Sequence, residues 1–150
     1  MWTVFLTVLS GVITYVVGQL VLKLMLEPIH EMKKTIGQIS HSLIEYADVI
    51  GNPGVPTQEV MYETSRHFRK LSSQLQAHLY LVPVYGFTAW LFRLPSRAKV
   101  LSASKSLMGL SNGVFRATEK IYEQNAKQAD NVCDSLSIYR ADDERWPREL

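Results

Sequence analysis

Glu27 and His30 stand three residues apart in a stretch that reads as helix, so both side chains fall on one helical face and could reach one metal ion. A Glu-x-x-His pair of this kind is half of a carboxylate-bridged di-iron site, and the second half is missing. Glu63 and His67 lie four apart, as do His41 and Glu45, without repeating that spacing. The histidines are therefore read as polar surface or hydrogen-bonded contact residues, and no metal site is expected. No serine sits in a Gly-x-Ser-x-Gly elbow, no phosphate loop or dinucleotide fingerprint is present, and the serines have no evident His and Asp partners. Neither catalysis nor a cofactor is expected. Cys133 is the only cysteine, which excludes an intrachain disulfide and fits a small apolar contact in a reducing compartment.

The remaining chemistry is cationic. Arg66, Arg69, Lys70, Arg93, Arg97, Lys99 and Lys105 could form one basic belt, in which each base near an anionic leaflet contributes about 1 kcal/mol of attraction. The formal charge of +2 is too mild for a dedicated nucleic-acid binder, and the aromatic residues lie among aliphatic ones, so a nucleic-acid partner is not expected. The same belt supports a subsidiary reading as a membrane-tethered sensor of an anionic ligand.

The elements that would position these groups begin with an uncharged apolar run of about 21 residues from Trp2 to Leu22, closed by Lys23. About 20 residues at 1.5 Å each cross about 30 Å of hydrocarbon. The run has no basic n-region, exceeds a signal-peptide h-region and lacks a small-x-small cleavage site, so it reads as a retained anchor over 1–26. Only the α-amine precedes it, whereas Lys23, Lys33 and Lys34 follow, which predicts an outside N-terminus and a cytoplasmic C-terminal domain. Within the span Thr3, Thr7, Gly11, Thr14 and Gly18 line one face with small residues, the pattern that lets membrane helices approach closely, so self-association through this face is expected.

Apolar positions at alternating steps of three and four continue from Val4 to Ile50, and from Ile29 onward the intervening residues are polar. Ile29, Met32, Ile36, Ile39 and Leu43 thus form a seam of period 3.5, suited to a parallel homo-oligomeric coiled coil or to an intramolecular bundle that consumes it. Pro28 implies either a kink or the first turn of a new helix. Two glycines and two prolines between Gly51 and Pro56 stop the helix, Thr57 is a cap candidate, and the next helix is predicted over Gln58 to Leu81, ended by Pro83. Each of these helices spans about 36 Å, so an antiparallel hairpin returns the chain to the bilayer. Residues 79–94 would arrive there as an interfacial segment, with Tyr80, Tyr85 and Trp90 at headgroup depth beside Arg93 and Arg97; a buried core segment is the alternative. A final helix is predicted from Arg97 to Tyr139, capped by Ser96 and liable to bend or break between Gly109 and Gly113, followed by a flexible charged tail over 140–150.

The sequence thus predicts an all-α protein in which a single N-terminal transmembrane helix runs into a cytoplasmic hairpin or three-helix bundle over 27–139. Its expected partners are the lipid bilayer, a second copy of itself and an unidentified protein. A membrane-anchored scaffold, adaptor or regulator is the leading reading, and an oligomeric pore-forming or membrane-perturbing effector is the alternative.

Overall fold

A computed structural model describes residues 1–139 and shows α1 (Trp2–Val21), α2 (Glu27–Glu45), α3 (Ala47–Gly51), α4 (Gln58–Leu81), α5 (Tyr85–Phe92), α6 (Arg97–Gly113) and α7 (Glu119–Leu136), with no strand among the described residues. The predicted tail over 140–150 lies outside them. α1 and α2 form one unbroken helix, Trp2–Glu45, of 44 residues. They are joined by a π-helical turn, Leu22–Leu26, in which the Glu27 N–H reaches back five residues to the Leu22 carbonyl. Proline explains the turn. A Pro28 ring in a regular helix presses on the carbonyl four residues earlier, and a widened turn just ahead of it relieves that crowding. Pro28 itself occupies the first turn of α2, where its missing donor costs little.

No residue of α1 is buried, and the helix is long and apolar enough to cross a membrane. Two of its hydroxyls bond locally: Thr7 donates to the Thr3 carbonyl at 2.8 Å and Thr14 to that of Ser10 at 2.9 Å. Such bonds to the preceding turn satisfy these two donors without a partner outside the helix.

Beyond Pro28 the pattern changes from wholly apolar to amphipathic, and the helix acquires partners. Ile29, Met32, Ile39 and Leu43 are buried, with Ile36 packed at the margin, in one core with Phe68, Leu71, Leu75 and Leu79 of α4. The seam is therefore occupied within a single chain, and the residues that would form a coiled coil between copies are already covered. Direction follows from two side-chain pairs, Thr35 with His78 and Ser42 with His67, which make α2 and α4 antiparallel.

The stretch from Arg97 to Tyr139, predicted as one helix with a bend or break between Gly109 and Gly113, is two helices, folded back on each other through residues 114–118. Gly113 sits at the fold, where a methyl group would overlap the Asn125 side chain. A continuous helix would have carried Val132 and Leu136 away from the core that α2, α4 and α6 share; folding back buries both there, with Ala129 and Cys133. The bundle consequently has four long helices rather than two or three. α7 closes at Ser137, which adopts φ 56° while the Ile138 N–H bonds the Cys133 carbonyl at 2.9 Å.

α6 is the central helix, and its small residues allow neighbours on both sides. Toward α4, Ser72 and Ser104 each donate to the other's backbone carbonyl, at 2.9 and 3.1 Å. Toward α7, Asn131 donates to Ser106 at 2.7 Å and to Ser102 at 3.1 Å. Each buried hydroxyl thus has a partner, as close packing of polar faces requires. At the far end, the Gly54 N–H donates to the Val114 carbonyl at 2.9 Å, and its φ of 78° together with the Ala117 methyl leaves no room for a side chain.

Candidate membrane-facing site

α4 ends because Pro83 cannot continue it, and the chain turns through Val84 in the left-handed region at φ 44°. α5 follows for eight residues and ends on a second left-handed residue, Arg93, at φ 53°. The Leu94 N–H then returns to the Ala89 carbonyl at 2.9 Å and the Leu94 side chain is buried, which closes the helix end with an apolar clasp.

Helical spacing divides α5 into two faces. Tyr85, Thr88 and Ala89 point inward. Thr88 donates to the Pro83 carbonyl at 2.7 Å. Tyr85, which the sequence reading put at headgroup depth, is only 4% exposed, because its hydroxyl finds an acceptor inside: it donates to the Pro95 carbonyl at 2.7 Å and lies 3.7 Å from the Met32 sulfur. Burial pushes this phenol up to about 12, against the opposing pull of the Arg97 guanidinium, whose carbon lies 5.8 Å from the ring centre.

The outward face is apolar as well. Phe87 is 56% exposed and Trp90 75%, with their ring centres 6.1 Å apart, and Tyr80, Leu81, Val84 and Leu91 are also exposed. These side chains leave a cluster of apolar and aromatic surface in contact with solvent. α5 approaches the junction of α1 and α2, where Phe92 lines a groove together with Leu22, Leu26 and Ile29.

Cations frame this surface. Arg93 follows α5, and Arg97 borders a hollow of about 520 Å³ shared with Trp90, Tyr85 and Ser96. Ser96 caps α6, accepting from the Lys99 N–H at 3.4 Å, and the first turn of α6 holds Arg97 and Lys99 without an acid. Helix N-termini carry partial positive charge, so cations placed there concentrate a potential that only an external anion relieves. Of the residues singled out from the sequence, Tyr80, Trp90, Arg93 and Arg97 are exposed on or beside α5, whereas Tyr85, on the same helix, is buried beneath it. The basic belt divides too: Lys70 lies about 17 Å along α4 from Leu81, and the Arg69 guanidinium donates to the Asn112 side chain at 2.7 Å.

Thr7, Gly11, Thr14 and Gly18 all lie on α1, and a methyl group added at either glycine would meet nothing within 4 Å. That small-residue face is open along its length.

Two histidine couples escaped the sequence reading. The Thr35 hydroxyl donates to the Glu31 carbonyl at 3.0 Å, so its oxygen accepts from His78 Nε2 at 3.0 Å. His78 Nδ1 is buried and has no hydrogen-bond partner among the described residues. Burial lowers the His78 pKa below its ordinary value, with Glu31 pulling weakly the other way. Ser42 repeats the arrangement, donating to the Gln38 carbonyl at 2.8 Å while His67 Nε2 lies 2.7 Å from its oxygen. His41 pairs with Glu45 at 3.7 Å on the surface. Among the described residues no three His, Cys, Asp or Glu side chains converge as metal ligands would. Thr35 and Ser42 are seven residues apart on one face, but only the α2–α4 register shows which histidines they meet.

Comparison with known protein families, with curated proteins and with solved structures finds no match to this chain.

Proposed function

We propose that the chain is a membrane-anchored helical adaptor: α1 crosses the bilayer with its N-terminus outside, and the four-helix bundle rests on the cytoplasmic leaflet through α5. The bundle would present its remaining surface to a protein partner, and α1 would pair with a second copy through Thr7, Gly11, Thr14 and Gly18. The observation that carries this reading is the exposed apolar face of α5 at the foot of a helix long and apolar enough to span. An aromatic surface beside arginines suits the headgroup layer, where amphipathic rings meet both hydrocarbon and charge.

Trp90 reports on this directly. With Trp2 and Trp146 replaced by Phe, full-length chain in vesicles should show Trp90 fluorescence quenched by lipids brominated near the carbonyl end of the acyl chain, and less by lipids brominated deeper. Emission typical of a water-exposed indole, unaffected by either lipid, would remove the docked bundle from the proposal.

A further inference from the structure

We infer that the outer groove between α4 and α6 receives an amphipathic helix of a partner protein, one that carries acidic residues beside an apolar stripe. The inference rests on the adaptor reading and names the surface and the chemistry through which the bundle meets its partner.

The groove follows from spacing. On α4, Tyr62, Arg69 and Gln76 stand seven residues apart, and each meets α6 or the turn after it. Tyr62 packs on Phe115 with ring centres 5.1 Å apart, Arg69 donates to Asn112 at 2.7 Å, and Gln76 donates to Ser104 at 2.7 Å. These pairs close the floor between the two helices. Beside them Leu101 and Met108, also seven apart, are exposed on α6, and Phe115 continues the same interval. None of Tyr62, Leu101, Met108 and Phe115 belongs to the buried core. From Leu101 to Phe115 the stripe runs about 20 Å, close to four turns of a helix. Apolar side chains repeating every seven residues leave holes in which a further helix can set its own.

Charge sets what that helix must carry. Arg66 and Arg69 rise from the α4 side, Lys105 from the α6 side, and Arg116 follows Phe115, all exposed. α6 has no acid in its 17 residues. Of the two acids on α4, Glu63 shares a helical side with His67, which meets Ser42 of α2, so Glu59 alone stands near the groove, at its outer end. Arg66, Lys105 and Arg116 make no ion pair within 4.0 Å with a described residue, and the Arg69 guanidinium is held by a neutral amide. Four cations against one acid leave a positive surface that acidic residues flanking an apolar stripe complement. A bilayer does not reach most of it. Tyr62 lies about 28 Å along α4 from Leu81, so a bundle docked through α5 holds Tyr62, Phe115 and Arg116 away from the headgroups.

The test uses full-length chain in nanodiscs of phosphatidylcholine and phosphatidylglycerol, with a fluorescent peptide of about 18 residues that has leucine at heptad positions a and d and glutamate beside them. Saturable binding that weakens with added salt is expected. The same composition in scrambled order should bind at least about tenfold more weakly. Arg66→Glu together with Lys105→Glu should weaken the native-order peptide by about tenfold, the ratio that reversing two exposed charge pairs supports, and Leu101→Gln should weaken it severalfold. All three side chains are exposed, so circular dichroism should stay unchanged. A benzophenone side chain in place of Met108 should cross-link the peptide. Cross-linking to lipid or to a second copy of the chain instead, equal binding of the scrambled peptide, or binding indifferent to R66E with K105E would overturn the inference. Trp90 quenching by brominated lipid in the same nanodiscs reads the docked bundle separately: peptide binding absent with quenching intact ends this inference alone, and quenching absent with peptide bound ends the docked bundle alone.

Discussion

Replacing Phe87 by Asp separates a surface that meets lipid from one that holds the fold together. Phe87 is 56% exposed, and an aromatic side chain offers about 150–250 Å², so roughly 100 Å² faces away from the bundle. At about 25 cal/mol per Å², transferring that area out of water is worth about 2.5 kcal/mol. The new carboxylate adds repulsion from an anionic leaflet, comparable to the about 1 kcal/mol that a basic residue gains there. The docked state of α5 should therefore lose about 3–4 kcal/mol, more than a hundredfold in the docked-to-undocked ratio. The fold should hardly notice, because most of the ring contacts no core residue and surface substitutions usually stay within about 0.5 kcal/mol. Trp90 emission in vesicles reads the first quantity and thermal unfolding followed by circular dichroism reads the second. Unchanged lipid quenching with an intact fold would refute docking through this face. Loss of helix would show instead that Phe87 is structural.

Two glycines should respond to alanine with opposite signs. Gly113→Ala gains about 1 kcal/mol of helix propensity but displaces Asn125, which is buried and bonded to the Ile50 carbonyl at 3.4 Å, for a net loss of about 1–3 kcal/mol; Gly37→Ala meets nothing within 4 Å and should stabilise by about 0.5–1 kcal/mol, both read as shifts in thermal midpoint. The lowered His78 pKa means that the unfolded chain takes up this proton first, so stability should fall as pH drops below about 6.5, by at most about 1.4 kcal/mol per pH unit, and His78→Gln should flatten the change between pH 7.5 and 5.5. Gly11→Leu with Gly18→Leu should convert a detergent-extracted oligomer to monomer by mass, since bulk on that face separates the backbones; an unchanged oligomer would move the contact elsewhere.

Some elements were legible because single residues mark them. α4 begins after Thr57 and ends before Pro83, as the sequence reading placed it; Pro83 cannot continue a helix, whereas Thr57 stands at the N-cap position without a side-chain cap hydrogen bond. The glycines marked where the last helix could bend or break, but that the chain folds fully back there rests on distant contacts: Asn125, twelve residues on, fills the space a Cβ at Gly113 would need, and Val132 and Leu136 return to the shared core. Period 3.5 showed that Ile29, Met32, Ile39 and Leu43 bury a face, but periodicity cannot say whether its cover comes from α4 or from another copy. In α5 both faces are apolar, so the pattern could not tell inward Tyr85 from outward Trp90; the nearby Pro95 carbonyl decides it.

That ambiguity in α5 carries its own argument about function. Eight residues are too few to form a helix unaided, so α5 exists by the packing of Tyr85, Thr88 and Ala89 and by the clasp at Leu94. Both its ends place non-glycine residues in the left-handed region, each at a cost of about 1–2 kcal/mol, and at Val84 the β-branched side chain is exposed and returns nothing to the core. The fold needs only the inward face. Polar side chains at 80, 81, 84, 87, 90 and 91 would leave every hydrogen bond and core contact of α5 in place and would remove an exposed apolar surface that water penalises. Residues that are dispensable for folding, unfavourable in water and placed near the junction of α1 and α2 are what the proposed docking of α5 on a headgroup layer calls for, and the Phe87→Asp and Trp90 measurements test that docking directly.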